Sequence, residues 1–120
     1  MEKLDIIWRI FSTYVLIIIL VLLCSTANGQ IEVKVFNAGW NSANDVGWVH
    51  SLKDVKTIGY TDIASNSKAQ SKYKIAVVPT IIIFKDGEEA VRFQADLSFK
   101  MVATKEEVQE AIDDILMSDF

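Results

Sequence analysis

The stretch Ala76-Val77-Val78-Pro79-Thr80-Ile81-Ile82-Ile83-Phe84 constrains the fold most, because it is almost continuously apolar after the only proline in the chain. A strand with one wet face alternates apolar and polar residues. One without alternation is buried on both faces and belongs in the middle of a covered sheet. Proline donates nothing to a ladder, so Pro79 marks the opening of that strand. Lys85-Asp86-Gly87-Glu88 supplies a turn with Gly87 suited to positive φ, and Ala90–Ala95 returns as an antiparallel strand.

The flanking segments fill in the layers. Ile31–Phe36 alternates and is rich in β-branched residues, the pattern of a strand. Asn44–Val55 sets Val46, Val49 and Leu52 at helical spacing, with Asp45 near the amino end and Gly47 weakening the element. Thr57–Thr61 reads as a strand, and Ser67–Tyr73 as a short polar helix capped by Ser65 or Asn66. Thr104 and Glu107 form a capping box ahead of Val108, Ala111, Ile112, Ile115 and Leu116, which share one helix face. The order β-α-β-α-β-β-α predicts an α/β three-layer sandwich: parallel strands joined by helices, then a hairpin and a closing helix. The pattern assigns no element to Asp96–Ala103.

The 120 residues divide into 1–29, a targeting segment, and 30–120, enough for one compact domain. Eleven residues from Tyr14 to Cys24 are uninterruptedly apolar, and Ala27 and Gly29 place small side chains where signal peptidase needs them, so cleavage is expected before Gln30. An uncleaved anchor of nineteen residues, Ile6–Cys24, is the competing reading, and a lipidated Cys24 a third. Each exports the domain, to the periplasm, the exterior or the outer side of a membrane, and membrane contact is expected only through this segment. The net charge of −4 belongs to residues 30–120, with 10 basic and 14 acidic side chains and no basic run, which argues against nucleic acid. Cys24 is the only cysteine and His50 the only histidine, so neither a disulfide nor a thiolate metal site is expected in the domain, and His50 reads as a structural or surface residue.

The proline segment Val78-Pro79-Thr80-Ile81-Ile82-Ile83-Phe84-Lys85-Asp86-Gly87-Glu88, taken with the element order, resembles the cis-proline loop, strand and turn of the thioredoxin family. Phe36-Asn37-Ala38-Gly39-Trp40-Asn41-Ser42-Ala43-Asn44 is similar to that family's entry into its redox motif, with Trp40 at the tryptophan position and Asn41 and Asn44 where the two cysteines stand. Val35 occupies the position of a buried acid found in many active members. The resemblance spans roughly residues 31–116, with a shortened first helix and an extended loop around Ser98–Thr104. It implies a thioredoxin-like sandwich with a central mixed sheet and a cis Val78–Pro79 bond; the alternative is an ordinary trans proline that opens a strand.

An asparagine amide neither attacks sulfur nor cycles between oxidation states, so the residues exclude thiol–disulfide exchange and name no catalytic residue, cofactor or metal. What the resemblance retains is a groove bordered by Trp40, Asn41, Asn44, Val78, Pro79 and Thr80, in which a polypeptide would lie extended against backbone. Trp40 and Trp48 read either as contacts of that groove or as core, and Asn44 either as a helix cap or as a ligand group. Three functions stay open: binding a polypeptide partner, a structural or assembly role as a homodimer through the same groove, or non-thiol catalysis by Asp45, His50 or Asp62.

Overall fold

The computed structural model describes residues 30–118, and the expected targeting segment lies outside them. Four strands form one mixed sheet in the order β2-β1-β3-β4: β1 Ile31–Asn37, β2 Thr57–Asp62, β3 Thr80–Lys85 and β4 Glu88–Gln94. Two helices flank it, α1 Ser67–Lys72 and α2 Lys105–Met117. As the apolar run of β3 requires, Thr80 to Phe84 are all buried.

Each sheet face has its own core. Ile31, Val33 and Val35 of β1 and Ile81 and Ile83 of β3 pack with Val108 and Ile112 of α2 on one face. Phe36, Ile82 and Phe84 point to the other, where Ile75, Val78 and the α1 residues around Ala69 cover them. Alternation along two adjacent strands therefore divides one sheet between two helical layers, the expected three-layer α/β sandwich. Thr104 Oγ1 accepts from the Glu107 N–H at 3.2 Å to cap α2, and Asn66 Oδ1 accepts from the Ala69 N–H at 3.1 Å to cap α1. Asp86 (φ 52°) and Gly87 (φ 86°) make the β3–β4 turn with two left-handed residues, the geometry whose twist suits a hairpin.

Two expectations are corrected. β1 and β2 pair in parallel, but β3 runs antiparallel to β1, with Phe36 opposite Thr80 and Ile31 opposite Lys85. β2 ends opposite Asn37 and β3 begins opposite Phe36, so the chain between them stays at one end of the sheet. The six residues of α1 rise only about 9 Å, too little to return the length of a strand.

The expected helix at Asn44–Val55 is instead a pair of 3-10 turns, Gly39–Asn44 and Gly47–Ser51. Val46, Val49 and Leu52 recur every three residues, the period of a 3-10 helix, and all three are buried against the first core. Gly47 weakens an α-helix, and the asparagine and aspartate side chains around residues 37–45 offer the chain competing hydrogen bonds.

The unassigned Asp96–Ala103 segment is a compact loop. Asp96 Oδ1 accepts from the Ser98 N–H at 2.8 Å and the Ser98 hydroxyl at 2.5 Å, Asp96 N–H donates to Lys100 O, and Ala95 bridges to Met101. This arrangement holds Phe99 in a left-handed conformation, φ 63°.

Candidate functional site

The carboxyl end of β1 leads directly into the first 3-10 turn, and a buried amide network forms at that junction. Asn37, the last residue of β1, and Asn41 inside the turn are 1% and 5% exposed. Asn41 Nδ2 donates to Asn37 Oδ1 at 3.0 Å and to the backbone oxygen of Phe99 at 3.1 Å. Asn37 Nδ2 donates to Asn41 O at 3.2 Å and also to Asp45, and Asn44 Nδ2 donates to Asn41 Oδ1 at 2.8 Å. Among the described residues no buried side-chain nitrogen or oxygen lacks a partner, so the network is closed.

The network continues to Tyr60 on the edge strand, whose hydroxyl donates to Asp45. Although the residue is half exposed, desolvation of its phenol, reinforced by the Asp45 carboxylate, pushes its pKa up to about 12. The cluster thus joins two elements that sequence spacing does not connect.

Trp40 points outward, 66% exposed, and meets the Phe99 ring edge-on with centroids 5.1 Å apart. Leu97 and Val102 of the same loop are also exposed. The Val78–Pro79 bond is cis, as the resemblance implied. Val78 packs its side chain into the second core, and Pro79 is buried with its carbonyl accepting from the Ala95 N–H at 3.0 Å. Thr80 is wholly buried and donates through Oγ1 to Val77 O at 2.6 Å. No backbone hydrogen bond of Val78 is made within the described residues.

The six expected groove residues therefore gather at one end of the sheet, but they present different surfaces. Trp40 offers its ring, whereas Asn41, Val78, Pro79 and Thr80 turn their side chains inward. Asn44 caps nothing: the first 3-10 turn starts after Ala38 without a side-chain cap, and the Asn44 amide binds Asn41. Trp48 lies half-buried against the first core. Phe99 was missed because no local pattern places residue 99 beside residue 40.

Of the side chains considered for acid–base chemistry, Asp45 and Asp62 both lie near enough to Tyr60 to raise its pKa, and His50 is not among the groups that act on it. Asp45 is bonded to Asn37 and Tyr60, Asp62 Oδ1 accepts from the Ala64 N–H at 2.9 Å, and His50 is exposed. No group of three metal-ligating side chains occurs among the described residues, and none of their helices is long and apolar enough to cross a membrane.

No family model matches the chain. A thioredoxin of Chlamydia pneumoniae is 47% identical over 36 residues, a match that takes in 30% of this chain and 35% of that protein. The structure of a point-mutant thioredoxin from Halobacterium salinarum superposes with a TM-score of 0.58 at 19% identity, over 74% of this chain and 77% of the other. The thioredoxin of Fasciola hepatica gives a TM-score of 0.52 at 24% identity, over 79% and 89%. The chain has a thioredoxin-like fold. A designed protein also superposes on it, at 26% identity and with a TM-score of 0.55 over 77% of this chain and 86% of that one. In this thioredoxin-like domain, Asn41 and Asn44 stand three residues apart after Trp40, and their side chains are hydrogen-bonded to each other.

Proposed function

We propose that the chain is an exported, redox-inactive thioredoxin-like protein that holds an extended polypeptide at the end of the sheet formed by Trp40, Phe99 and the backbone of Val78. The observation that carries this reading is the unpaired backbone of Val78 beside a proline-opened strand. An unpaired N–H and carbonyl in a mostly buried segment favour a partner that supplies strand-like hydrogen bonds. The exposed Trp40 ring, braced against Phe99, adds apolar area at low conformational cost. Redox inactivity follows from the residues: with a single thiol, at Cys24, the chain has no dithiol to cycle, and Asn41 and Asn44 offer amides instead.

Selection of a random peptide library on the full-length protein tests the binding reading. Extended peptides should be enriched, protect the Val78 amide from hydrogen exchange, and lose at least about tenfold in affinity on Trp40→Ala, equivalent to about 1.4 kcal/mol. Failure to enrich any peptide, or affinity indifferent to Trp40→Ala, refutes it. A concentration-dependent dimer that buries Trp40 would give the same surface to a second copy of the chain. Reproducible reduction of insulin by the purified protein with dithiothreitol would overturn redox inactivity.

A further inference from the structure

Away from the Trp40 surface, α1 and the β1–β2 side of the sheet enclose a cleft of about 400 Å³, within the range of small-molecule sites. It shares no lining residue with the amide network except Tyr60. Lys34 enters from β1 and Lys68 and Lys72 from α1, while Gly59 leaves the floor without a side chain. No carboxylate lines the cleft, although the chain as a whole carries a net charge of −4.

The three ammonium groups are differently placed. Lys34 Nζ donates to the Tyr73 hydroxyl at 2.9 Å and lies 4.9 and 5.0 Å from the ring centroids of Tyr73 and Phe84. It is held in position before any ligand arrives, so less side-chain entropy remains to be lost on binding. Lys72 sits 5.2 Å from the Tyr73 ring, and Lys68 lies four residues before it, a spacing at which like charges on a helix repel. Neither forms an ion pair with a described carboxylate. The Tyr73 oxygen accepts from Lys34, and the phenol keeps its own O–H as a further donor at the cleft lining. Hydrogen bonding from Lys34 also holds the Tyr73 phenol below its ordinary pKa, as expected where positive charge gathers.

We propose that this cleft binds a soluble phosphate-bearing small molecule through Lys34, Lys68, Lys72 and the Tyr73 hydroxyl. Separate ammonium point charges converging from two elements suit the distributed charge of phosphate better than a planar carboxylate, which favours the fork of an arginine. A small soluble ligand fits the concave shape, and the exposed apolar side chains Trp40, Leu97 and Val102 are not among the residues that line it.

The test titrates inorganic tripolyphosphate into the full-length protein at constant ionic strength, following amide resonances, with sulfate as the control anion. Saturable shifts confined to Gly59, Thr61 and residues 67–73 are expected, and Lys68→Gln with Lys72→Gln should weaken binding at least about tenfold, while Lys53→Gln leaves it unchanged. Both altered lysines are exposed, so an unchanged urea midpoint would show that the fold is retained. Non-saturating shifts, equal response to sulfate, or affinity indifferent to the double variant would overturn the proposal. So would binding to anionic vesicles through the same lysines without competition by tripolyphosphate, since that would make the cleft a lipid-headgroup site.

Discussion

Asn41 donates to Asn37 Oδ1 at 3.0 Å, which ties the first 3-10 turn to the last residue of the central strand β1. The same amide reaches Phe99 O, 58 residues further along the chain. One side chain thus holds three segments together beneath the Trp40–Phe99 surface.

Asn41→Ala should therefore destabilise the domain by about 1–3 kcal/mol, because it leaves Asn37 Oδ1 and the Phe99 carbonyl without their buried donor. Urea denaturation measures the loss. Hydrogen exchange should quicken around Phe99 as well as Asn41, and a neutral substitution would mean that water replaces the amide at no cost.

Replacing Asn41 and Asn44 together with cysteine should give an intramolecular disulfide under mild oxidation. Their side chains already approach within 2.8 Å, and a disulfide needs a Cα separation of roughly 4.4–6.8 Å. The reduced variant should be less stable than the parent by about 1–3 kcal/mol, since the Asn41 hydrogen bonds are gone. Mass spectrometry of the oxidised monomer decides the matter, and free thiols or linked dimers alone would contradict the turn geometry.

Tyr60 makes stability fall at high pH. Its phenol titrates near 10 when unfolded and about 12 when folded, so the stabilisation is complete below pH 10 and is lost as pH rises toward 12. Tyr73 acts in the opposite sense: its folded pKa is depressed, so its contribution is present above the unfolded value and is lost as pH falls through the folded one. Phenolate absorbance should show a late-titrating component that Tyr60→Phe removes, together with the extra loss of stability between pH 10 and 12.

Arg92 fastens the end of α1 to β4. Its guanidinium donates to Tyr73 O at 2.9 Å and Lys74 O at 3.2 Å, and pairs with Glu89 at 2.6 Å. Arg92→Ala should cost about 1–2 kcal/mol in thermal or urea unfolding, and Arg92→Lys should recover little because one ammonium cannot serve carbonyls and carboxylate in that fork. The bond from Arg92 keeps the Glu89 carboxyl below its ordinary pKa, so this contribution is present above the unfolded value and lost as pH falls through the folded one; Arg92→Ala should remove that acid dependence.

Sequence alone determined the elements whose cause is local. The apolar run of β3, the alternation of β1, the Asp86-Gly87 turn and the capped apolar face of α2 each follow from periodicity or from a residue's own backbone preference. Tertiary structure decided what depends on distant partners. A three-residue spacing at Val46, Val49 and Leu52 suits one face of either helix type, and the packing of all three against the first core accompanies the 3-10 choice. Asn41 turned inward because Asn37 and Phe99 receive its amide, and Lys34 became part of a cleft because Tyr73, 39 residues away, receives its ammonium. Such positions have no local signature, because the hydrogen bonds that favour them exist only after the strands have paired and the loops have closed over their ends.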